Sequence, residues 1–372
     1  MALQLLPVEL LDASATRLLY RHLTLSDHAH NLSLLSLLAS HPHLAAHVRT
    51  FTVHLDDVDS KLLPEYAHLQ SALRIMTNIS GLSLYVDCSA SWVLSPPVTE
   101  SSHKTDHVPI SAPAVYSRLE HLTCNFPPDA HLTSFLGHTP SLISLALSSV
   151  ILGVDVDSDL EDEPPPPPRV QLPPSHIPLL ETYTGPAYLL PTLVSRPLKA
   201  LHLSGDLALE LFASDTGAPS AAEAMLRLRR TSARADHTRN TAIPSSDAPP
   251  LQVMSAMSSS PPAALIDVLA RVFPNIQYLR LATPYALSDF PSLEFYPHIA
   301  ETLSTLPNLS VFELGGRPWD SRVKPATSPY HPPEKEWLSP STTPRGFALP
   351  AEDELDADRD YDFDGAFADW SY

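Results

Sequence analysis

The residues whose types and spacing could do chemistry fall into a few groups. His28 and His30, then His41, His43 and His47, are spaced as metal ligands often are. No carboxylate or cysteine completes a set with them, and with 18 histidines spread along the chain they read as scattered residues. Asp155, Asp157 and Asp159 open like a calcium-binding EF-hand loop, which needs glycine at its sixth position and glutamate at its twelfth. Those positions hold Leu160 and Pro166, so the run 155–163 reads as a solvated acidic linker. Arg229-Arg230-Thr231-Ser232 has the form of a basophilic kinase substrate. No Gly-x-Ser-x-Gly, Walker or dinucleotide glycine pattern occurs, and ten glycines leave little material for phosphate loops. A hydrolase on an α/β sheet would lack its nucleophile motif. The expectation is a protein that is not an enzyme, with no catalytic, cofactor-binding or metal-binding residues.

The chain does repeat one short apolar phrase. Pro307-Asn308-Leu309-Ser310-Val311-Phe312-Glu313-Leu314 has apolar residues at steps 0, +3 and +5, and Pro274-Asn275-Ile276-Gln277-Tyr278-Leu279-Arg280-Leu281 repeats it. Positions +3 and +5 alternate as a strand does and share one face. Position 0 lies just before and can fold onto that face. The same template fits Leu198, Leu201, Leu203; Leu142, Leu145, Leu147; Leu119, Leu122, Cys124; Ile79, Leu82, Leu84; and Val48, Phe51, Val53. Tyr20, Leu23, Leu25 is a candidate first copy, and Leu180, Tyr183, Gly185 is a poor match. One such strand cannot bury its apolar face alone and needs neighbours of its own kind.

Helical periodicity lies between the strands. Leu62, Tyr66, Leu69, Leu73 and Met76 make one stripe; Leu265, Val268, Leu269 and Phe273 make another. Further helices are expected at 28–40, 129–137, 188–194 and 292–306. Helix alternating with strand implies parallel strands joined by crossovers. The expected fold is α/β: an irregular leucine-rich-repeat-like solenoid over 15–314, strands on one side and helices on the other. A regular repeat carries Asn or Cys at +8 to satisfy turn backbone groups. Here Asp56, Asp87 and Asp206 stand at +8, and aspartate accepts but cannot donate.

Forty prolines and a formal net charge of −19 bound the rest. Such an acidic chain repels phosphate backbones and anionic lipid, so neither nucleic acid nor membrane is an expected partner. Two cysteines make no disulfide framework and suit a reducing compartment, cytoplasmic or nuclear. Segments near 88–114, 153–176 and 204–260, and the acidic, proline-rich tail 315–372, are too polar or proline-rich to pack well and are expected to be largely disordered. The five prolines 164–168 read as a stiff spacer, and the acid–aromatic alternation of 361–372 reads as a solubilising tail.

Residues 5–11, Leu-Leu-Pro-Val-Glu-Leu-Leu, resemble the Leu-Pro-x-Glu-Leu opening of an F-box. Pro7 suits the first helical position and Glu9 the first turn. The segment 13–25 resembles the stretch that follows the box in fungal F-box/leucine-rich-repeat proteins. The middle of the box has no counterpart, so residues 1–14 read as the remnant of an F-box start. In that family the box binds the Skp1 adaptor of a cullin-based ubiquitin ligase and the repeats hold a substrate protein. The resemblance implies that Leu6, Pro7, Glu9, Leu10 and Leu11 touch the adaptor, a contact the missing helices weaken. The alternative is a stand-alone repeat scaffold without a ubiquitin link.

Overall fold

The computed structural model describes residues 15–26, 29–55, 63–95, 116–148, 172–173, 175–193, 195–212, 251–284, 295–323 and 335–339. Residues 15–19 are helical and lead into β1 (His22–Leu25). Then come α1 (Ala29–Ser40), α2 (Pro42–Ala45), β2 (Thr50–His54), α3 (Leu63–Ile75), β3 (Gly81–Tyr85) and a 3-10 helix at Cys88–Leu94. The middle of the chain holds β4 (His121–Cys124), α4 (Ala130–Leu136), β5 (Ser144–Leu147), β6 (Thr182–Pro186), α5 (Leu190–Leu193) and β7 (Ala200–Asp206). The last part holds β8 (Val253–Met257), α6 (Pro262–Val272), β9 (Tyr278–Ala282), α7 (Phe295–Ser304), β10 (Val311–Leu314), β11 (Arg317–Val323) and β12 (Lys335–Leu338).

All twelve strands form one open sheet in chain order. Strands β1 to β10 pair in parallel, as expected when a helix or long connection returns the chain to the same edge. Among the described strands, only β11 and β12 run antiparallel to their neighbours. The register aligns the +3 residues of every repeat: Leu23 lies opposite Phe51, then Leu82, Leu122, Leu145, Tyr183, Leu201, Met254, Leu279 and Phe312 follow in turn. A second regularity runs along the backbone just before each strand. The carbonyl of Arg49 accepts from the N–H groups of Ser80 and Gly81, that of Ser80 from Glu120 and His121, that of Glu120 from Ile143 and Ser144, and the pattern continues to Gln277 with Ser310 and Val311. Each repeat therefore begins in the same place relative to its predecessor.

The core lies on the side of the +3 and +5 residues. Phe51, Val53, Leu122, Cys124, Leu279 and Phe312 pack there with Leu35 and Leu38 of α1, Leu69 and Leu73 of α3, and Leu265 and Leu269 of α6. Each such side chain is worth ~1.5–3 kcal/mol when fully removed from water. The poor match at Leu180, Tyr183, Gly185 is a true member of the set. Tyr183 is fully buried and donates from its hydroxyl to the Pro186 carbonyl at 3.1 Å. A Cβ on Gly185, where φ is +153°, would stand 2.7 Å from that hydroxyl oxygen. The tyrosine thus fills the volume that a +5 leucine fills elsewhere.

Parts of three segments expected to be largely disordered are ordered. Residues 88–114 begin with an ordered 3-10 helix in which Ala90, Val93 and Leu94 are buried, because the Asp87 carboxylate caps it by accepting from the Ser89 N–H at 2.7 Å. Within 204–260, β8 is a full member of the sheet, and Leu251, Met254 and Ala256 occupy steps 0, +3 and +5 of the template. Asp206 ties that segment back by accepting from the Ser259 N–H at 2.6 Å. Beyond 315, Gly315 and Gly316, with φ of +55° and +73°, make a two-residue turn between β10 and β11, the backbone that hairpins demand. Trp319 and Trp337 then cover Phe312, with ring centroids 5.5 and 6.4 Å away. Residues 96–114, 153–171, 213–250 and 340–372 lie outside the described residues. No described helix is long and apolar enough to cross a membrane.

Candidate interaction face

The alternate residues of the same strands point away from the core. Thr24, Thr52, Ser83, Thr123, Ala146, Thr184, His202, Ser255, Arg280 and Glu313 occupy the row between +3 and +5, aligned by the same register. All are exposed or half-buried except Ser255. At a strand spacing of ~4.8 Å, ten strands carry this row over roughly 43 Å.

Its chemistry changes along its length. From β1 to β6 the row is hydroxyls and one alanine, short side chains that leave the backbone approachable. Beside them, the His22 ring nitrogen Nδ1 and the Thr50 hydroxyl are 2.6 Å apart, and the rings of His54 and Tyr85 stack with centroids 4.6 Å apart. At β9 and β10 the side chains lengthen. Arg280 Nε lies 3.3 Å from Glu313 Oε1, a cross-strand ion pair on neighbouring strands. Tyr278 sits next to them; burial and the Glu313 charge raise its phenol above the ordinary value of 10, so it stays a hydrogen-bond donor at neutral pH. His202 in β7 is pushed below 6.5 by burial and is held neutral. Arg280 is thus half-buried and paired, whereas Gln277 is exposed.

The structure gathers few of the chemically suggestive residues. Leu6, Pro7, Glu9, Leu10 and Leu11, the candidate adaptor contacts, lie outside the described residues, as do the acidic run 155–163, the prolines 164–168 and Arg229–Ser232. His41 and His43 approach edge to face, with ring centroids 5.7 Å apart. No group of three or more His, Cys, Asp or Glu is placed to hold a metal ion among the described residues. Cys88 and Cys124 are unpaired, and burial raises the Cys124 thiol to about 12, so it is a packed apolar group and not a nucleophile.

The turn-satisfying asparagines sit one residue before the template, not at +8. Asn78 Nδ2 donates to the Ala46 carbonyl at 3.0 Å, and Asn308 Nδ2 to Asn275 Oδ1 at 3.4 Å, linking successive repeats. The repeated Pro-Asn phrase was the signal for this position. Asn125, just after β4, adds another link by bonding both the N–H and the carbonyl of Val86. The chain matches no protein-family model and no curated protein.

Proposed function

We propose that this chain is a non-enzymatic protein-interaction module, a leucine-rich-repeat-like solenoid that holds a protein partner on the open face of its sheet. The observation that carries this reading is the division of labour within each strand. The +3 and +5 residues are spent on a continuous core, while the residues between them form a long, aligned, mostly polar row that is largely exposed or half-buried. Such a surface, about 43 Å long with short hydroxyl side chains at one end and Tyr278, Arg280 and Glu313 at the other, suits an extended polypeptide contact.

By its resemblance to F-box/leucine-rich-repeat proteins, the module is substrate-receptor-like, with Leu6, Pro7, Glu9, Leu10 and Leu11 facing a Skp1-type adaptor of a ubiquitin ligase. So short a segment falls well below the ~1,200 Å² of a stable interface, so weak or absent binding to purified Skp1 is expected, and the stand-alone scaffold is the alternative that this shortness favours. Sub-micromolar binding to Skp1 would exclude the stand-alone alternative. The unpaired Cys88 and Cys124 suit a cytoplasmic or nuclear setting.

The open face is tested by affinity capture with the wild type and with Thr123→Arg and Tyr278→Ala. A specific protein retained by the wild type and lost from both variants, whose melting temperatures stay unchanged, supports the reading. Partners that survive every open-face substitution would place binding elsewhere.

A further inference from the structure

A cleft of ≈410 Å³ lies at the start of the first three strands, lined by Arg17, Arg21, Ala46, His47, Arg49 and Asn78. Three arginines and a histidine line it in a chain whose formal net charge is −19. No carboxylate among the described residues pairs with Arg17, Arg21 or Arg49; the ion pairs Arg280–Glu313 and Lys199–Glu181 lie elsewhere. The framework around the cleft is fixed. Arg49 donates from Nη1 to the Asn78 carbonyl at 2.9 Å, Asn78 Nδ2 donates to the Ala46 carbonyl at 3.0 Å, and the Arg21 carbonyl accepts from the N–H groups of Arg49 and Thr50. These bonds leave most of the guanidinium donors of the three arginines unused. Among the described residues these like charges have no carboxylate partner, and an anion seated beside them would relieve their repulsion.

We infer that this cleft is a binding site for a phosphate monoester carried on a side chain of a polypeptide partner. A carboxylate brings one negative charge and two acceptor oxygens. A phosphate monoester brings a charge of about −1.5 to −2 and three acceptor oxygens, a better match to three planar guanidinium forks and a ring nitrogen. Leu18 and Leu19, between two of the arginines, are 69% and 72% exposed and offer apolar ground for residues that flank the phosphate. The polypeptide source rests on the interaction-module reading. The net charge of −19 repels a polyanionic membrane or nucleic-acid backbone more strongly than a single phosphate monoester.

The test uses the full chain, titrated by calorimetry with inorganic phosphate at constant ionic strength, then with a degenerate phosphoserine peptide and its unphosphorylated counterpart. Saturable binding of inorganic phosphate is expected, with the phosphopeptide at least tenfold tighter than the unphosphorylated peptide. Arg17→Ala and Arg21→Ala, both at exposed positions, are each expected to weaken binding roughly tenfold, the scale of one lost charge-assisted hydrogen bond, without lowering the melting temperature. Arg21→Lys should restore only part of the loss, since lysine keeps the charge but not the fork. Absence of saturable phosphate binding, equal affinity for the two peptides, insensitivity to both arginine variants, or preference for phosphoinositide vesicles over the phosphopeptide would each overturn the inference. Inorganic phosphate is scored with no partner protein present, so its result stands apart from any failure of the open-face reading.

Discussion

Leu279 and Arg280 are neighbours in β9, yet they belong to different surfaces. Leu279 is 1% exposed and sits in a row of apolar side chains that runs through ten strands. Arg280 is half-buried in a row that changes from hydroxyls to a charged pair within the same sheet. The packed face is apolar throughout: Leu, Ile, Val, Phe, Met, Ala, Cys and one tyrosine–glycine pair fill it. The open face holds Thr, Ser, Ala, His, Arg and Glu at equivalent register positions. The two faces differ in polarity: one side of each strand is kept apolar for the core, and the other is mostly polar or charged.

The largest effect should come at the end of the packed row. Trp319→Ala removes a side chain that is 5% exposed and uncovers Phe312. Loss of ~3–5 kcal/mol is expected in denaturant unfolding, the usual cost of deleting a buried aromatic group. If stability is unchanged, β11 and β12 do not seal the sheet and the expectation of a structureless tail from 315 regains ground.

A smaller cost is expected at Gly185, on the same face. Gly185→Ala puts a methyl group 2.7 Å from the Tyr183 hydroxyl and should cost ~1–3 kcal/mol. In a Tyr183→Phe background the same change should cost less, because the colliding oxygen is gone. Equal costs in the two backgrounds would show that Tyr183 does not fill the missing +5 side chain.

The sequence made the packed face legible and most of the open face invisible. Steps 0, +3 and +5 marked the strands at Leu23, Phe51, Leu82, Leu122, Leu145, Leu201, Leu279 and Phe312, because burial enforces residue type. At β8 the same steps hold Leu251, Met254 and Ala256 in a setting of serine, alanine and proline, and that composition masked a strand that obeys the template. Gly315-Gly316 followed by Trp319 was a hairpin signal hidden by the prolines and charges around it. The Arg17, Arg21 and Arg49 cleft could not be read at all. Its members come from three separate segments, and only the register of β1 to β3 brings them together.

The smallest expected effect is on pH dependence. His176 and His202 both have side chains pushed below 6.5; burial is the main cause for each, and Arg196 adds to it at His176. Each is neutral in the folded chain at a pH where the unfolded chain would take up a proton. Their contribution is therefore complete above pH 6.5 and is lost as pH falls through the depressed folded values. His202→Gln should flatten the fall in unfolding free energy below pH 6.5, and an unchanged slope would leave His202 without a role in acid sensitivity.

Hydrogen exchange on Leu279→Ala and Arg280→Ala compares the two surfaces within one strand. Leu279→Ala should cost ~2–5 kcal/mol and deprotect β8, β9 and β10 first, reaching β2 last, because repeats couple chiefly to their neighbours. Arg280→Ala removes a partly exposed ion pair with Glu313 and should cost ~1 kcal/mol or less, leaving protection in β8 to β10 nearly unchanged. Equal deprotection by the two variants would mean that β9 does not divide its residues between a core and an open face.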